Sequence, residues 1–288
     1  LRPDGHGFHD RHRLDVTTAA RSTKRGGFFA WGEQQLQRLR RFFEEVGDST
    51  LLAGRTFRTL FSSRFDGGEY IYQLEALGVK SLAIAAATAI FVGIVMTIQF
   101  AVSMEAFGAK DTLGRVIAVS EARELAPSLT ALVVGSRIAA GIAAELGSMT
   151  VTEQVDAIRA LGADPIRRLV VPRVMACITI MPLITFIAFI LGMLSSMLVA
   201  ALSYGIPTEF FFSTALDSLR LNDFASGVFK TPFFGFLIGI LGCYFGLGTR
   251  GGTEGVGRST TRAVVVVSIS ILMADALLTQ IFVSIGTL

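Results

Sequence analysis

The chain has 288 residues and a mass of 30.9 kDa, with 51% hydrophobic residues, 17% charged residues and a mean hydropathy of +0.58. Soluble domains carry about 25% charged residues, so this balance excludes an ordinary soluble enzyme; it also excludes disorder, which needs low hydrophobicity and high net charge. The formal net charge is +3, Cys177 and Cys243 sit inside apolar stretches, and His6, His9 and His12 lie in a polar N-terminal tail, so no disulfide framework, cysteine-rich metal site or histidine-based catalysis is expected.

Residues 1–27 read as a polar, disordered leader and 28–79 as interfacial amphipathic helices. The first 80 residues hold 13 of the 26 Lys and Arg residues, without the short apolar core and small-residue cleavage site of a secretory signal. Leu36, Leu39, Phe43 and Val46 recur at helical spacing, with Arg38, Arg40 and Arg41 on flanking faces. Phe57, Leu60 and Phe61, interleaved with Arg55, Arg58 and Arg64, continue the pattern. A basic amphipathic helix leading into a membrane span rests in the headgroup plane; the alternative is a surface helix of a soluble domain.

Residues 80–288 read as five membrane spans, so the expected fold class is an all-α membrane protein. Residues 81–104 form an uncharged run of 24, about 36 Å as a helix against a hydrocarbon core of about 30 Å. The second span, 126–146, is interrupted by Arg137 and Glu145, and the third, 174–206, has no charge in 33 residues. The fourth, 231–249, opens near Pro232, where a helix's first turn tolerates proline. The last, 263–288, is broken only by Asp275 and Gln280.

Basic residues orient these spans. Connections 147–173 and 249–262 carry seven Arg residues, while the opposite loops, 105–125 and 207–230, carry Lys110, Arg115, Arg123, Arg220 and Lys230. With the N-terminal segment on the first side the contrast becomes twenty against five, which places that side in the cytoplasm.

Two spans carry small-residue ridges that let helix backbones approach. In the second these are Gly135, Ala139 and Ala143; in the fourth, Gly235, Gly239, Gly242 and Gly246. Their partner helices belong either to the same chain or to a second copy. Ionisable groups at membrane depth are functional candidates by default. Counted from the cytoplasmic ends, Arg137 and Asp275 lie about 14 and 18 Å deep, which predicts an Arg137–Asp275 pair that either holds helices together or serves transport. Glu124 and Lys230 sit near the outer ends of their spans and are candidates to line a polar mouth.

In the connection after the second span, TVTEQVDAIRALGADP places Thr150 and Glu153 at capping-box spacing and Val151, Val155, Ile158 and Leu161 at a helical period, with Gly162 and Pro165 as a stop. This predicts a cytoplasmic helix over 150–162 whose polar face, with Gln154, Asp156 and Arg159, suits a soluble partner; the alternative is a helix that only caps the bundle. Residues 252–259, GTEGVGRS, nearly match a phosphate-binding loop, with Arg258 in the lysine position. Such a loop needs a strand before it and a helix after it, so a flexible basic turn is expected instead, without nucleotide binding.

The stretch RELAPSLTALVVGSRIAAGIAAELGSMTVTEQVDAIRALGADPIRRLVVPRV, residues 123–174, closely resembles the signature region of MlaE-type (YrbE) permeases, the membrane subunits of ABC-type lipid transporters that work with MCE-domain proteins. Weaker similarity runs from about Gly93, through IVMTIQF, to the final helix RSTTRAVVVVSISILMADALLTQIF. The resemblance implies a homodimer of five-span permeases in a bacterial inner membrane, N-terminus cytoplasmic and C-terminus periplasmic. Each dimer pairs with two copies of a separate ATPase, so ATP and Mg belong to the partner, and this chain is no enzyme and binds no cofactor or metal. The helix at 150–162 becomes the coupling helix, with Glu153 and Asp156 as ATPase contacts. A ring of MCE domains is implied on the outer face, a STAS-domain protein on the ATPase in Gram-negative members, and a phospholipid in an outward-facing cavity near Gln99, Arg123, Glu124 and Lys230.

The alternative from another class is an ion-coupled secondary transporter using Asp275, Glu124 and Arg137 as a relay. It would show inverted repeats, and five spans do not divide into equal halves. A scaffold that merely anchors an envelope complex would need neither coupling helix nor polar cluster.

Overall fold

The structure is a computed structural model that describes residues 45, 47–59 and 67–285. Two compact units divide the chain, Leu1–Leu51 and Leu52–Leu288. Of the first, residues 45 and 47–51 are described and are helical; in the second, residues 52–59 are helical (α1). The leader expected at 1–27, and Leu36, Leu39, Phe43, Val46, Leu60 and Phe61 of the expected amphipathic face, lie outside the described residues.

In the second unit, long apolar runs become helices because a chain in hydrocarbon must satisfy its own backbone hydrogen bonds. They are α2 (Gly67–Ala106), α3 (Leu113–Ser120), α4 (Thr130–Val151), α5 (Gln154–Ala160), α6 (Val171–Tyr204), α7 (Thr208–Ser218), α8 (Leu221–Leu247) and α9 (Gly252–Ser284). Wide π turns, Glu121–Leu129 and Ile166–Val170, join α3 to α4 and lead into α6. Among the described residues no strand occurs, and five segments are long and apolar enough to cross a membrane.

Several helices extend past the charge-free runs. α2 begins at Gly67, inside the region expected to be interfacial, and α8 begins at Leu221, inside an expected outer loop. Pro232 is therefore deep within α8, and its missing N–H leaves the Val228 carbonyl without its helical partner. The Thr231 hydroxyl donates to that carbonyl instead, at 2.8 Å. The rest of the expected outer loop is α7, which folds back along α6. Phe211 packs beside Ala200, whereas Phe224 meets Phe186 and Phe189 edge-on at 6.0 and 5.8 Å; Ala200 and Phe189 are about 16 Å apart along α6. An apolar cleft of about 210 Å³ lies between these helices, lined by Phe189, Met193 and Met197 of α6 and by Phe212, Leu216 and Leu219 near α7.

The core lies where α4, α6, α8 and α9 meet, around Ile138, Ile142, Met181, Phe234, Ile238 and Ile271. Both small-residue ridges are used within the chain. A Cβ on Gly239 would stand 2.9 Å from the Val174 Cα of α6, while Cβ atoms on Gly242 and Gly246 would stand 3.3 Å from the Ala139 and Ala143 Cα atoms of α4. The α8 ridge thus divides between two neighbours, one on each side.

Candidate functional site

Pro127 interrupts the second span inside the π turn. In a π turn the N–H it lacks would reach five residues back, to the Ala122 carbonyl, and the neighbouring Arg123 carbonyl receives Lys230 Nζ of α8 at 3.3 Å. Lys230 also donates to Glu124 Oε1 at 2.8 Å, to Asp275 Oδ1 at 3.1 Å and to Thr279 Oγ1 at 2.7 Å. The Thr279 hydroxyl in turn donates to Glu124 Oε1 at 3.1 Å. Three segments distant in sequence, the π turn, α8 and α9, are therefore tied by one ammonium group.

The Lys230 side chain is 0% exposed, against 17% for Asp275 and 39% for Glu124. An ammonium has three protons and here faces four acceptors, so none is left for a ligand. Lys230 is the post behind the site, and Glu124 is the group it presents. Arg123, 31% exposed, is held from behind by Asp223, which is 2% exposed. Its Nε donates to Asp223 Oδ1 at 3.0 Å, and Asp223 Oδ2 accepts the Arg220 N–H at 3.1 Å, fixing the start of α8. Arg123 and Glu124 thus offer adjacent, accessible charges of opposite sign, each locked by a buried partner.

Of the residues singled out from the sequence, the structure brings together Arg123, Glu124 and Lys230, and it adds Asp275. The expected Arg137–Asp275 pair is not formed. Asp275 bonds Lys230, and Arg137 Nη1 donates to Ser81 Oγ of α2 at 2.7 Å. Both depth and rotation explain this. α9 begins at Gly252 rather than near Ala263, which puts Asp275 about 35 Å along its helix instead of 18 Å. On α4 it is Ser136 that faces α9, at 2.9 Å from Ser268, and one residue of rotation turns Arg137 toward α2. Gln99 is exposed on α2, and among the described residues no hydrogen bond joins its side chain to the cluster. Sequence reasoning passed over Asp223 and Thr279. Asp223 stands seven residues before Lys230, two helical turns and hence the same face, a signal obscured by ending the span at the first charge.

The connection between α4 and α6 also differs from its expected form. α4 runs on to Val151, the Thr150 hydroxyl donates back to the Leu146 carbonyl at 2.8 Å, and Glu153 adopts a left-handed φ of 60°. The capping box of Thr150 and Glu153 is therefore absent, and α5 is a seven-residue helix, Gln154–Ala160, in place of 150–162. Val155 is its buried anchor. Asp156 and Arg159 pair at 3.0 Å on the exposed side, where Gln154 donates to Thr152 Oγ1 at 3.0 Å. Leu161, expected on the apolar face, is 85% exposed, because the chain turns away at Gly162, whose φ is 76°. Glu145 of α4 and Arg173 of α6 meet at 2.6 Å, with Arg173 2% exposed, and so clamp together the two helices that α5 connects. Residues 252–259 are the opening turns of α9 rather than a flexible loop.

A family model described as Permease MlaE matches residues 70–281. The chain belongs to the MlaE permease family. It is 39% identical over 234 residues to a probable ABC transporter permease protein of Synechocystis sp., covering 81% of this chain and 89% of that one. Over 232 residues it is 39% identical to the chloroplastic protein TRIGALACTOSYLDIACYLGLYCEROL 1 of Arabidopsis thaliana, covering 81% and 66% of the two chains. A probable ABC transporter permease protein of Rickettsia prowazekii is 37% identical over 242 residues, 84% and 93% of the chains. The MlaE match contains the Lys230 cluster and α5 alike, and membership agrees with the multi-pass, all-α architecture.

Proposed function

We propose that this chain is the membrane subunit through which a separate cytoplasmic ATPase moves phospholipid to or from an MCE-domain protein on the outer face of a bacterial inner membrane. In this reading the permease works as a homodimer, the N-terminus is cytoplasmic, and ATP and Mg stay on the ATPase. What carries the reading is the continuity of α4: the exposed charges Arg123 and Glu124 sit just before one end, and α5 is attached to the other by Thr152 and Glu153.

ATP binding would draw the ATPase copies together and push α5. The Glu145–Arg173 pair makes α4 and α6 respond together. Along α4 the displacement reaches the π turn, whose wider backbone yields more readily than a regular helix. Motion there shifts Glu124 and Arg123 relative to Lys230 and Asp275 on α8 and α9. The paired opposite charges suit a zwitterionic or anionic headgroup, and the cleft along α6 and α7 suits an acyl chain. The name of the Arabidopsis relative, that of a diacylglycerol glycolipid, fits a glycerolipid cargo. A STAS-domain protein on the ATPase is compatible with this arrangement. An ion relay of Asp275, Glu124 and Arg137 finds the two carboxylates together on Lys230 but Arg137 apart from them, turned to Ser81.

The test is reconstitution of the complex with its ATPase in vesicles containing fluorescent phospholipid and an MCE-domain acceptor. ATP-dependent transfer is expected; transfer driven by an ion gradient without ATP would reject the reading.

A further inference from the structure

Arg137 is a membrane-depth cation that the site above leaves unused. Along α4 it lies about 20 Å from Glu124 and about 12 Å from Glu145, within a segment able to cross a membrane. Its partner is Ser81 Oγ at 2.7 Å, a neutral group whose own proton goes to the Leu77 carbonyl at 2.6 Å. The Arg137 side chain is nevertheless exposed. One turn further on the same face, Gly141 is also exposed, with no atom within 4 Å of where a Cβ would stand. A guanidinium has five N–H donors, so with Ser81 as its hydrogen-bond partner most of them face open space.

An unpaired charge at this depth is costly and calls for an anion. Among the described residues no carboxylate forms an ion pair with Arg137. Glu145 is bound to Arg173, Glu124 and Asp275 to Lys230, and Asp223 to Arg123, while Glu121 is buried against Gly192. Glu75 lies about 9 Å from Ser81 along α2 and forms no ion pair with Arg137. Lys80, exposed and next to Ser81, adds a second positive charge at this level. The anion that a bilayer supplies to such a place is a lipid phosphate, and a guanidinium matches it with two parallel hydrogen bonds.

We infer that Arg137 and Ser81, with the open surface over Gly141, form a second phosphate subsite, on the α5 side of the Lys230 cluster, which holds the headgroup of a membrane lipid. The inference rests on the chain spanning a membrane and not on the cargo or the driving force proposed above.

A benzophenone side chain placed at position 141 of the membrane-embedded complex, with a second at position 99 as a reference for the outer half, tests it by mass spectrometry of the photoproducts. Position 141 should label intact phospholipid; Arg137→Gln should cut that labelling about tenfold, Arg137→Lys should keep most of it, and labelling from 99 should stay unchanged in both. Labelling at 141 indifferent to Arg137→Gln overturns the subsite, as do crosslinks from 141 to protein alone. Loss of lipid labelling on adding inorganic phosphate would make a free anion the ligand and overturn the lipid assignment. If Arg137→Gln does not accumulate, the wild-type photoproduct and its Arg137→Lys counterpart decide between lipid and protein. Labelling at 99 with none at 141 rejects this subsite and leaves the proposed function standing.

Discussion

Lys230 and Asp275, on consecutive helices, meet at 3.1 Å with the lysine side chain wholly buried. This contact closes a group in which one cation serves two carboxylates, and it fixes the level of α9 against α8 and the π turn.

Removal of that cation should be severe. Lys230→Met leaves Glu124 and Asp275 side by side without a counter-charge; because these are 39% and 17% exposed, the cost falls below the ~3–5 kcal/mol of breaking a fully buried pair. A lower melting temperature in detergent is expected, with substantial recovery when Glu124→Gln and Asp275→Asn are added. A triple variant no better than Lys230→Met would show that the lysine acts by packing alone.

Charge reversal on α5 should separate binding from folding. The Asp156–Arg159 pair is 68% and 63% exposed, and such pairs contribute at most about 1 kcal/mol. Asp156→Lys should therefore leave the melting temperature nearly unchanged while reducing the ATPase that co-purifies with the chain. Retention of the ATPase would remove Asp156 from the docking surface.

The α8 glycines differ from those that face open space. Gly239→Leu drives a side chain into the Val174 backbone, and overpacking of this kind costs about 1–3 kcal/mol. Gly257 on α9 has nothing within 4 Å, and Gly257→Ala should be neutral or stabilising by up to about 1 kcal/mol through helix propensity. Thermal unfolding of the two variants side by side measures the contrast.

Thr231 and Pro232 should behave as a coupled pair. Thr231→Val strips the Val228 carbonyl of its hydroxyl donor, at about 1 kcal/mol, whereas Thr231→Val combined with Pro232→Ala restores a helical N–H and should recover the loss. Additive effects in this double-mutant cycle would mean that the hydroxyl does not replace the proline's missing bond.

Much of this was legible in residue order. Hydropathy alone counts the spans, because each needs about 20 apolar residues whatever its neighbours do. The signature stretch around Arg137 identified the family, and Arg123, Glu124 and Lys230 stood out as charges near span ends. Partnerships were less accessible. A hydropathy run stops at its first charge, but α8 and α9 continue through Asp223, Lys230 and Glu254, since a charge that finds a partner or reaches the interface need not end a helix. Depths counted from those false ends placed Asp275 beside Arg137. Each residue moves a side chain about 1.5 Å along the axis and 100° around it, so an eleven-residue error in a helix start changes every neighbour. Sequence by itself determined how many helices cross the bilayer and which charges they carry; the packing of α8 between α4 and α6 decided which charges meet, because a contact depends on the level and rotation of two helices at once.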